Sequence, residues 1–162
     1  MRDQSGHHDD AGAAYERLEA LVGRWRTEGS IRAAARDAAT RIDATDTYEW
    51  LPGRRALLHR VHTLAGDEEL ERAEIIGYDP ARRIHIAQYV GTDGPGTYEA
   101  SLAYEYGALV LKMRSQTERF TGKFSDDGNT IEGSLGVARR RLALAAPNGR
   151  HADQATLTRP CC

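Results

Sequence analysis

The chain has 162 residues, the size of one domain with a substantial hydrophobic core. Its 22 basic and 24 acidic residues nearly balance, so we expect neither nucleic acid nor an anionic membrane as a partner. No apolar run approaches the roughly 20 residues that a membrane-spanning helix needs. The two cysteines, Cys161 and Cys162, are adjacent and terminal, which argues against a disulfide framework and favours the reducing cytoplasm.

The first predicted element is a short helix. Residues 1–12 are polar and lack periodicity, so we predict a disordered tail there. Apolar residues then recur at helical spacing from Tyr15 to Val22, which predicts an amphipathic helix over residues 13–22. Gly23 is a natural stop for it.

From Gly23 onward the hydrophobic period changes to two. About nine short strands follow, separated by turns rich in Gly, Pro and Asp such as LPG, AGDEE, GTDGPG and SDDGN. No second helical segment is present that could serve parallel crossovers. The pattern predicts an all-β fold, an antiparallel up-and-down barrel of about eight to ten strands preceded by the helix. A barrel of that size can hold one small ligand in its lumen.

The order of these segments resembles a bacterial family of uncharacterised lipocalin-like (calycin-like) proteins. The matching stretches are LVGRWRTEG, YEWLPGRRALLHRV, EIIGYDP, QYVGTDGPGTY and RFTGKFSDDGNTIEG, between about Leu18 and Gly133. The resemblance implies a calycin-type barrel but no biochemical activity. It also implies that Trp25 closes one barrel end and stacks on an arginine of the last strand, for which Arg159 is the candidate.

The resemblance ends after residue 134. We therefore predict a barrel domain over residues 13–134 and an atypical segment over residues 135–162, beginning with LGVARRRLALAA. One interpretation is a tail that is frameshifted by a single inserted base near codon 135, because a shifted reading can restore the family pattern. The other is a genuine helix packed on the barrel, because Ala, Leu and Arg favour helices.

Sequence motifs offer little support for catalysis or metal binding. No serine lies in a Gly-x-Ser-x-Gly setting, and GTDGPG opens no helix that could bind phosphate. His59 and His62 differ by three positions on one predicted strand, so they point to opposite faces and cannot form a two-histidine metal site. His85 lies between Ile84 and Ile86, and we expect it outside because the more apolar face should turn inward.

The function that we predict is binding of a small apolar or amphipathic molecule in the lumen, without a cofactor. Aromatic rings supply contact area, and hydroxyl or imidazole groups can orient the ligand. The candidate ligand contacts are Trp25, Tyr48, Trp50, His59, His62 and Tyr89. Two alternatives stay open: a haem-binding barrel like the nitrobindins, with His151 as the candidate proximal ligand, and a barrel cyclase or isomerase. Whether the protein is an enzyme stays open, with binding favoured.

Overall fold

The computed structural model describes residues 6–31, 38–116, 118–137 and 153–159. One helix, α1 (Gly6–Leu18), and a 3₁₀ turn (Glu19–Leu21) precede the sheet. The ten strands are β1 (Gly23–Ile31), β2 (Thr40–Trp50), β3 (Ala56–Ala65), β4 (Glu68–Asp79), β5 (Ile84–Gly91), β6 (Gly94–Glu105), β7 (Ala108–Arg114), β8 (Glu118–Phe124), β9 (Thr130–Val137) and β10 (Asp153–Thr158). Each strand pairs antiparallel with its sequence neighbours, and β10 closes the barrel against β1. The predicted all-β barrel with a short N-terminal helix is confirmed.

Strand alternation divides the side chains between the lumen and the outer surface. The end covered by α1, which we call the helix end, is densely packed around Trp25, Leu57 and Ile131, all fully enclosed. Toward the opposite end, the far end, inward-facing side chains such as Val61 and Met113 become partly exposed. The lumen-facing side chains are therefore fully enclosed near the helix and partly exposed toward the far end.

Helix α1 begins earlier than the sequence predicted. It starts at Gly6, so residues 6–12, expected in a disordered tail, belong to the helix. Apolar packing of its second half stabilises it, because Ala14 and Leu18 are buried and Tyr15 meets the ring of Tyr78 edge-on at 5.9 Å. Neither α1 nor any other helix in the described part of the chain has the length and apolar character needed to cross a membrane.

The side chain of Trp25 closes the helix end of the barrel. Its indole nitrogen donates a 2.7 Å hydrogen bond to the carbonyl of Leu21, and its ring meets Phe124 edge-on. The guanidinium carbon of Arg159 lies 4.6 Å from the ring centroid, and Arg159 Nη2 donates a 2.6 Å bond to the carbonyl of Ala20. This is the tryptophan–arginine stack that the family resemblance implied.

The C-terminal part contributes to the barrel more than we expected. Strand β9 continues to Val137, and β10 pairs with both β9 and β1, so the barrel does not end at residue 134. Residues 135–137 are extended, not helical, because Leu135 pairs across to Phe120 and Asp153. Residues 138–152 lie outside the described residues, so the frameshift and helix interpretations of that stretch stay predictions.

Candidate functional site

A charged histidine site lies inside the barrel, at mid-height. His59 on β3 stands beside Tyr48 on β2 and Glu74 on β4 in the strand register, so these three side chains enter the lumen together. His59 Nδ1 lies 2.8 Å from a carboxylate oxygen of Glu74, and His59 Nε2 lies 3.0 Å from one of Asp46. All three side chains are at most 8 % exposed. A buried imidazole is thus held between two carboxylates.

Two hydroxyl groups extend this arrangement. Thr27 on β1 donates a 2.6 Å hydrogen bond to Asp46 Oδ2, and Tyr98 on β6 donates a 2.6 Å bond to Glu74 Oε2. The ring of Tyr48 stacks on the imidazole at 3.9 Å between centroids, with the planes 6° apart. We call the hydrogen-bonded residues Thr27, Asp46, His59, Glu74 and Tyr98 the lumen network.

The network favours a protonated imidazole. Burial by itself would lower the pKa of His59, but the hydrogen bonds and charges of Asp46 and Glu74 outweigh it and raise this pKa to about 9. Burial would also raise the pKa of Glu74, yet the bond from His59 holds it below its ordinary value. Burial raises the pKa of the Tyr98 hydroxyl well above 10, so Tyr98 remains a donor at neutral pH. With both carboxyl groups ionised, the network carries a net charge of −1.

A second polar layer lies toward the far end. The guanidinium carbon of Arg72 stands 4.6 Å from the centroid of the Tyr89 ring, while the guanidinium group forms an ion pair with Asp93. The Tyr89 ring in turn lies 6.4 Å from the ring of Tyr98. The polar groups therefore cover the arc of the lumen formed by β1 to β6.

The remaining arc, from β7 to β10, presents described apolar side chains at the level of the network. Met113, Leu135 and Ala155 face the lumen there and pack against the core while remaining partly exposed. The ring of Phe120 lies so close to Gly122 and Gly133 that Cβ atoms added at these positions would come within 2.7 Å of it. The far half of the lumen consequently has one charged, aromatic wall and one aliphatic wall.

The helix end of the lumen leaves no room for a ligand. A residual cavity that reaches from α1 to the level of the lumen network, with Leu18, Tyr48, Tyr98 and Met113 among its lining residues, has a volume of about 10 Å³. That is about the space of a single water molecule. An organic ligand inside the barrel must therefore occupy the far half.

A larger concavity of about 670 Å³ lies on the outer surface of β2 to β5. Most of its lining residues face outward, namely Thr45, Thr47, Arg60, His62, Glu71, Ala73, Val90 and Thr92, and it is also lined by Val61, Arg72 and Gly91, which lie on the lumen side of their strands. His62 bonds Glu69 at 2.6 Å and has Glu71 nearby, but its side chain is 44 % exposed and that of Glu69 is 65 % exposed. Since exposed ion pairs of this kind are common on protein surfaces, we place the candidate site in the lumen.

The residues predicted from the sequence fall into three places. Three of them face the lumen, at the level of the network or nearer the far end: Tyr48, His59 and Tyr89. Trp25 and Trp50 belong to the helix end, where the Trp50 indole donates a 2.7 Å bond to Glu19. His62 lies on the outer surface, which confirms that His59 and His62 point to opposite faces.

The expectation that His85 lies outside is wrong. His85 is 3 % exposed and faces inward with Ala87, and its Nε2 lies 3.3 Å from the carbonyl oxygen of Ala14. The expectation that the more apolar face of β5 turns inward fails here because α1 covers this end and offers a backbone acceptor to the imidazole. Burial lowers the pKa of His85, so this second buried histidine is neutral.

Sequence reasoning missed the acidic partners of His59. Asp46 and Glu74 are two of several carboxylates in β2 and β4, and they lie two positions from Tyr48 and Ile76 respectively. Each shares the face of a large buried side chain, which was the available signal. Their meeting at one histidine depends on the register of three strands, which the sequence does not show.

Comparisons with known proteins agree with the fold and name no activity. A family model described as "Protein of unknown function (DUF1579)" matches residues 10–123. The solved structure titled "Crystal Structure of Rv2717c from M. tuberculosis" is similar, with a TM-score of 0.63 and 14% identity over 91% of this chain and 98% of that one. At that identity the likeness shows the barrel fold alone. Comparison with curated proteins finds no match.

Proposed function

The chain belongs to the family described as "Protein of unknown function (DUF1579)", and we propose that it binds a small amphipathic molecule in the far half of its barrel lumen. The ligand's polar group would lie against the lumen network and its apolar body against Met113, Leu135 and Ala155. We also propose that the protein is related to the lipocalin-like proteins, as the sequence suggested, and that it is located in the cytoplasm.

The observation that carries the proposal is the division of the lumen into two unlike walls. A barrel built for stability alone can fill its interior with apolar side chains, because burying charges costs several kcal/mol per ion unless they are paired. Here Asp46, His59 and Glu74 occupy the interior, and partly buried aliphatic side chains lie on the other arc of the same barrel. Such a combination is typical of pockets that orient an amphipathic ligand.

The same geometry favours binding over acid–base catalysis. Both ring nitrogens of His59 are engaged by carboxylates, so neither is free to exchange a proton with a substrate. The Tyr98 hydroxyl is likewise committed to Glu74. A cyclase or isomerase mechanism would need at least one of these groups to leave its partner.

The haem alternative has less support in this geometry. Of the two histidines described inside the barrel, His59 is bonded through both nitrogens and His85 is packed beneath α1. His151, the proximal candidate, lies outside the described residues. Titration with haem provides the test, because a Soret band that is lost in His151→Ala would favour this alternative over ours.

A matched pair of alanine substitutions tests the proposed site. Ala155 faces the lumen from β10, whereas Ala73 lies on the outer surface in the groove of β2 to β5. We expect the neutral dye Nile red to bind the wild-type protein saturably, with increased fluorescence. Ala155→Phe should abolish binding by filling the lumen, and Ala73→Phe should leave it unchanged.

The opposite pattern would place the ligand in the outer groove and contradict the proposal. Absence of saturable dye binding by the wild-type protein would also count against it. Circular dichroism of each variant shows whether the barrel is intact.

A further inference from the structure

The charges facing the lumen do not cancel. Asp46 and Glu74 carry two negative charges and the His59 imidazolium one positive charge. The nearest additional cation in the described lumen, Arg72, is already paired with Asp93. Among the described residues, the polar wall thus keeps an excess of one negative charge in a site where its carboxylates are nearly enclosed. A cation brought by a ligand would offset that excess.

One carboxylate oxygen is available to receive such a group. Glu74 Oε2 accepts hydrogen bonds from both His59 and Tyr98, whereas no described residue donates to Oε1. Glu74 Oε1 is not among the described side-chain atoms that are buried without a hydrogen-bond partner, which are Nε of Arg17 and Nε of Arg159. Since Glu74 faces the lumen, a group that binds Oε1 would approach it from the lumen.

Aromatic rings lie on the same wall as this carboxylate and suit a cation. The Tyr98 hydroxyl bonds the same carboxylate, and the Tyr98 ring lies 6.4 Å from that of Tyr89. One face of Tyr89 already accommodates the guanidinium of Arg72, which shows that a cation is compatible with this wall. A carboxylate beside aromatic faces is a chemistry that recognises ammonium groups.

Resting on the proposed lumen function, we propose that the ligand is an amphipathic amine whose primary or secondary ammonium group donates a hydrogen bond to Glu74 Oε1. Its apolar body then lies along Met113, Leu135 and Ala155. A carboxylate head group, as in a fatty acid, meets an uncompensated negative charge in the same place and is disfavoured.

Three ligands of equal chain length test the inference. They are titrated at pH 7.5 as competitors of Nile red: octylamine, which is a cation, octanol, which is neutral, and octanoate, which is an anion. We expect octylamine to bind roughly tenfold more tightly than octanol, because a charge-assisted hydrogen bond replaces a neutral one. Octanoate should bind more weakly than octanol. Octyltrimethylammonium, which cannot donate a hydrogen bond, should bind less tightly than octylamine.

Glu74→Gln should remove the preference for octylamine over octanol. Glu71→Gln, an exposed substitution on the outer face of the same strand, is the matched control and should retain it. If Glu74→Gln does not fold, the comparison of octylamine with octyltrimethylammonium on the wild-type protein still decides whether a donated hydrogen bond is used.

Each other result has a definite meaning. Equal affinity for the three octyl compounds, tightest binding of octanoate, or dye binding without any octyl competition would overturn the amine inference and leave lumen binding intact. If Nile red fails to bind as well, the proposed function itself is wrong.

Discussion

Stability between pH 6 and pH 10 should depend on His59. The perturbation is the substitution His59→Gln, which removes the titrating imidazole but keeps a polar side chain of similar reach. In the folded protein, Asp46 and Glu74 raise the pKa of His59 from 6.5 to about 9. Because the folded-state pKa is the higher one, protonation favours folding. That contribution is complete below pH 6.5 and is lost as the pH rises through about 9.

The size of the effect follows from the shift. One pKa unit corresponds to about 1.4 kcal/mol, so the change from 6.5 to about 9 amounts to roughly 3 kcal/mol of unfolding free energy. The pH dependence that Glu74 contributes has the opposite sign. Its hydrogen bond with His59 lowers the pKa of Glu74, so the stability that Glu74 contributes is lost when the pH falls below the ordinary pKa of a glutamate. Stability conferred by the pair should therefore be greatest near pH 6.

The assay is urea unfolding of the wild-type protein and His59→Gln at pH 6, 7.5 and 10. We expect the difference in unfolding free energy between the two proteins to shrink by roughly 3 kcal/mol from pH 6 to pH 10. His62→Gln, on the outer surface, should keep the wild-type pH dependence. A pH-independent difference between wild type and His59→Gln, or NMR spectra showing a neutral His59 ring at pH 7.5, would refute the reasoning.

Two further predictions concern the packing of the barrel. Gly122→Ala should destabilise the protein by about 1–3 kcal/mol in urea unfolding, because its Cβ would meet the ring of Phe120 at 2.7 Å. Gly136→Ala should be nearly neutral, since the nearest atom lies 3.8 Å from the added Cβ, and an equal loss in both variants would contradict the packing argument. Arg159→Met should cost about 0.5–2 kcal/mol by removing the cation above Trp25, and unchanged unfolding of this variant would show that the stack contributes nothing.

The parts of the fold that the sequence predicted rest on local patterns. Period-two alternation with Gly, Pro and Asp turns was sufficient for an up-and-down barrel of about the right strand number. Three-residue spacing was sufficient to separate His59 from His62. The contact of Trp25 with Arg159 was predicted from the family resemblance, because residues so far apart in the sequence meet only when the barrel closes.

Other features depend on tertiary structure. Residues 6–12 are polar, but they extend a helix whose later turns are fixed on the barrel by Ala14 and Leu18. His85 faces inward because helix α1 supplies a backbone carbonyl as a hydrogen-bond acceptor. The local sequence around His85 gives no sign of this acceptor. The lumen network needs the six strands β1 to β6 to be correctly paired, so its acidic residues resembled ordinary polar strand positions in the sequence.

The most direct test of lumen binding is the methyl NMR signal of Met113. The chain has two methionines, Met1 and Met113, and Met113 is part of the aliphatic wall of the lumen, so selective methyl labelling gives a simple spectrum. Titration with Nile red should shift the Met113 signal saturably while the Trp50 indole signal at the helix end stays in place. An unchanged Met113 signal, together with a shifted Val90 methyl signal from the outer groove in a second, valine-labelled sample, would contradict ligand binding inside the barrel.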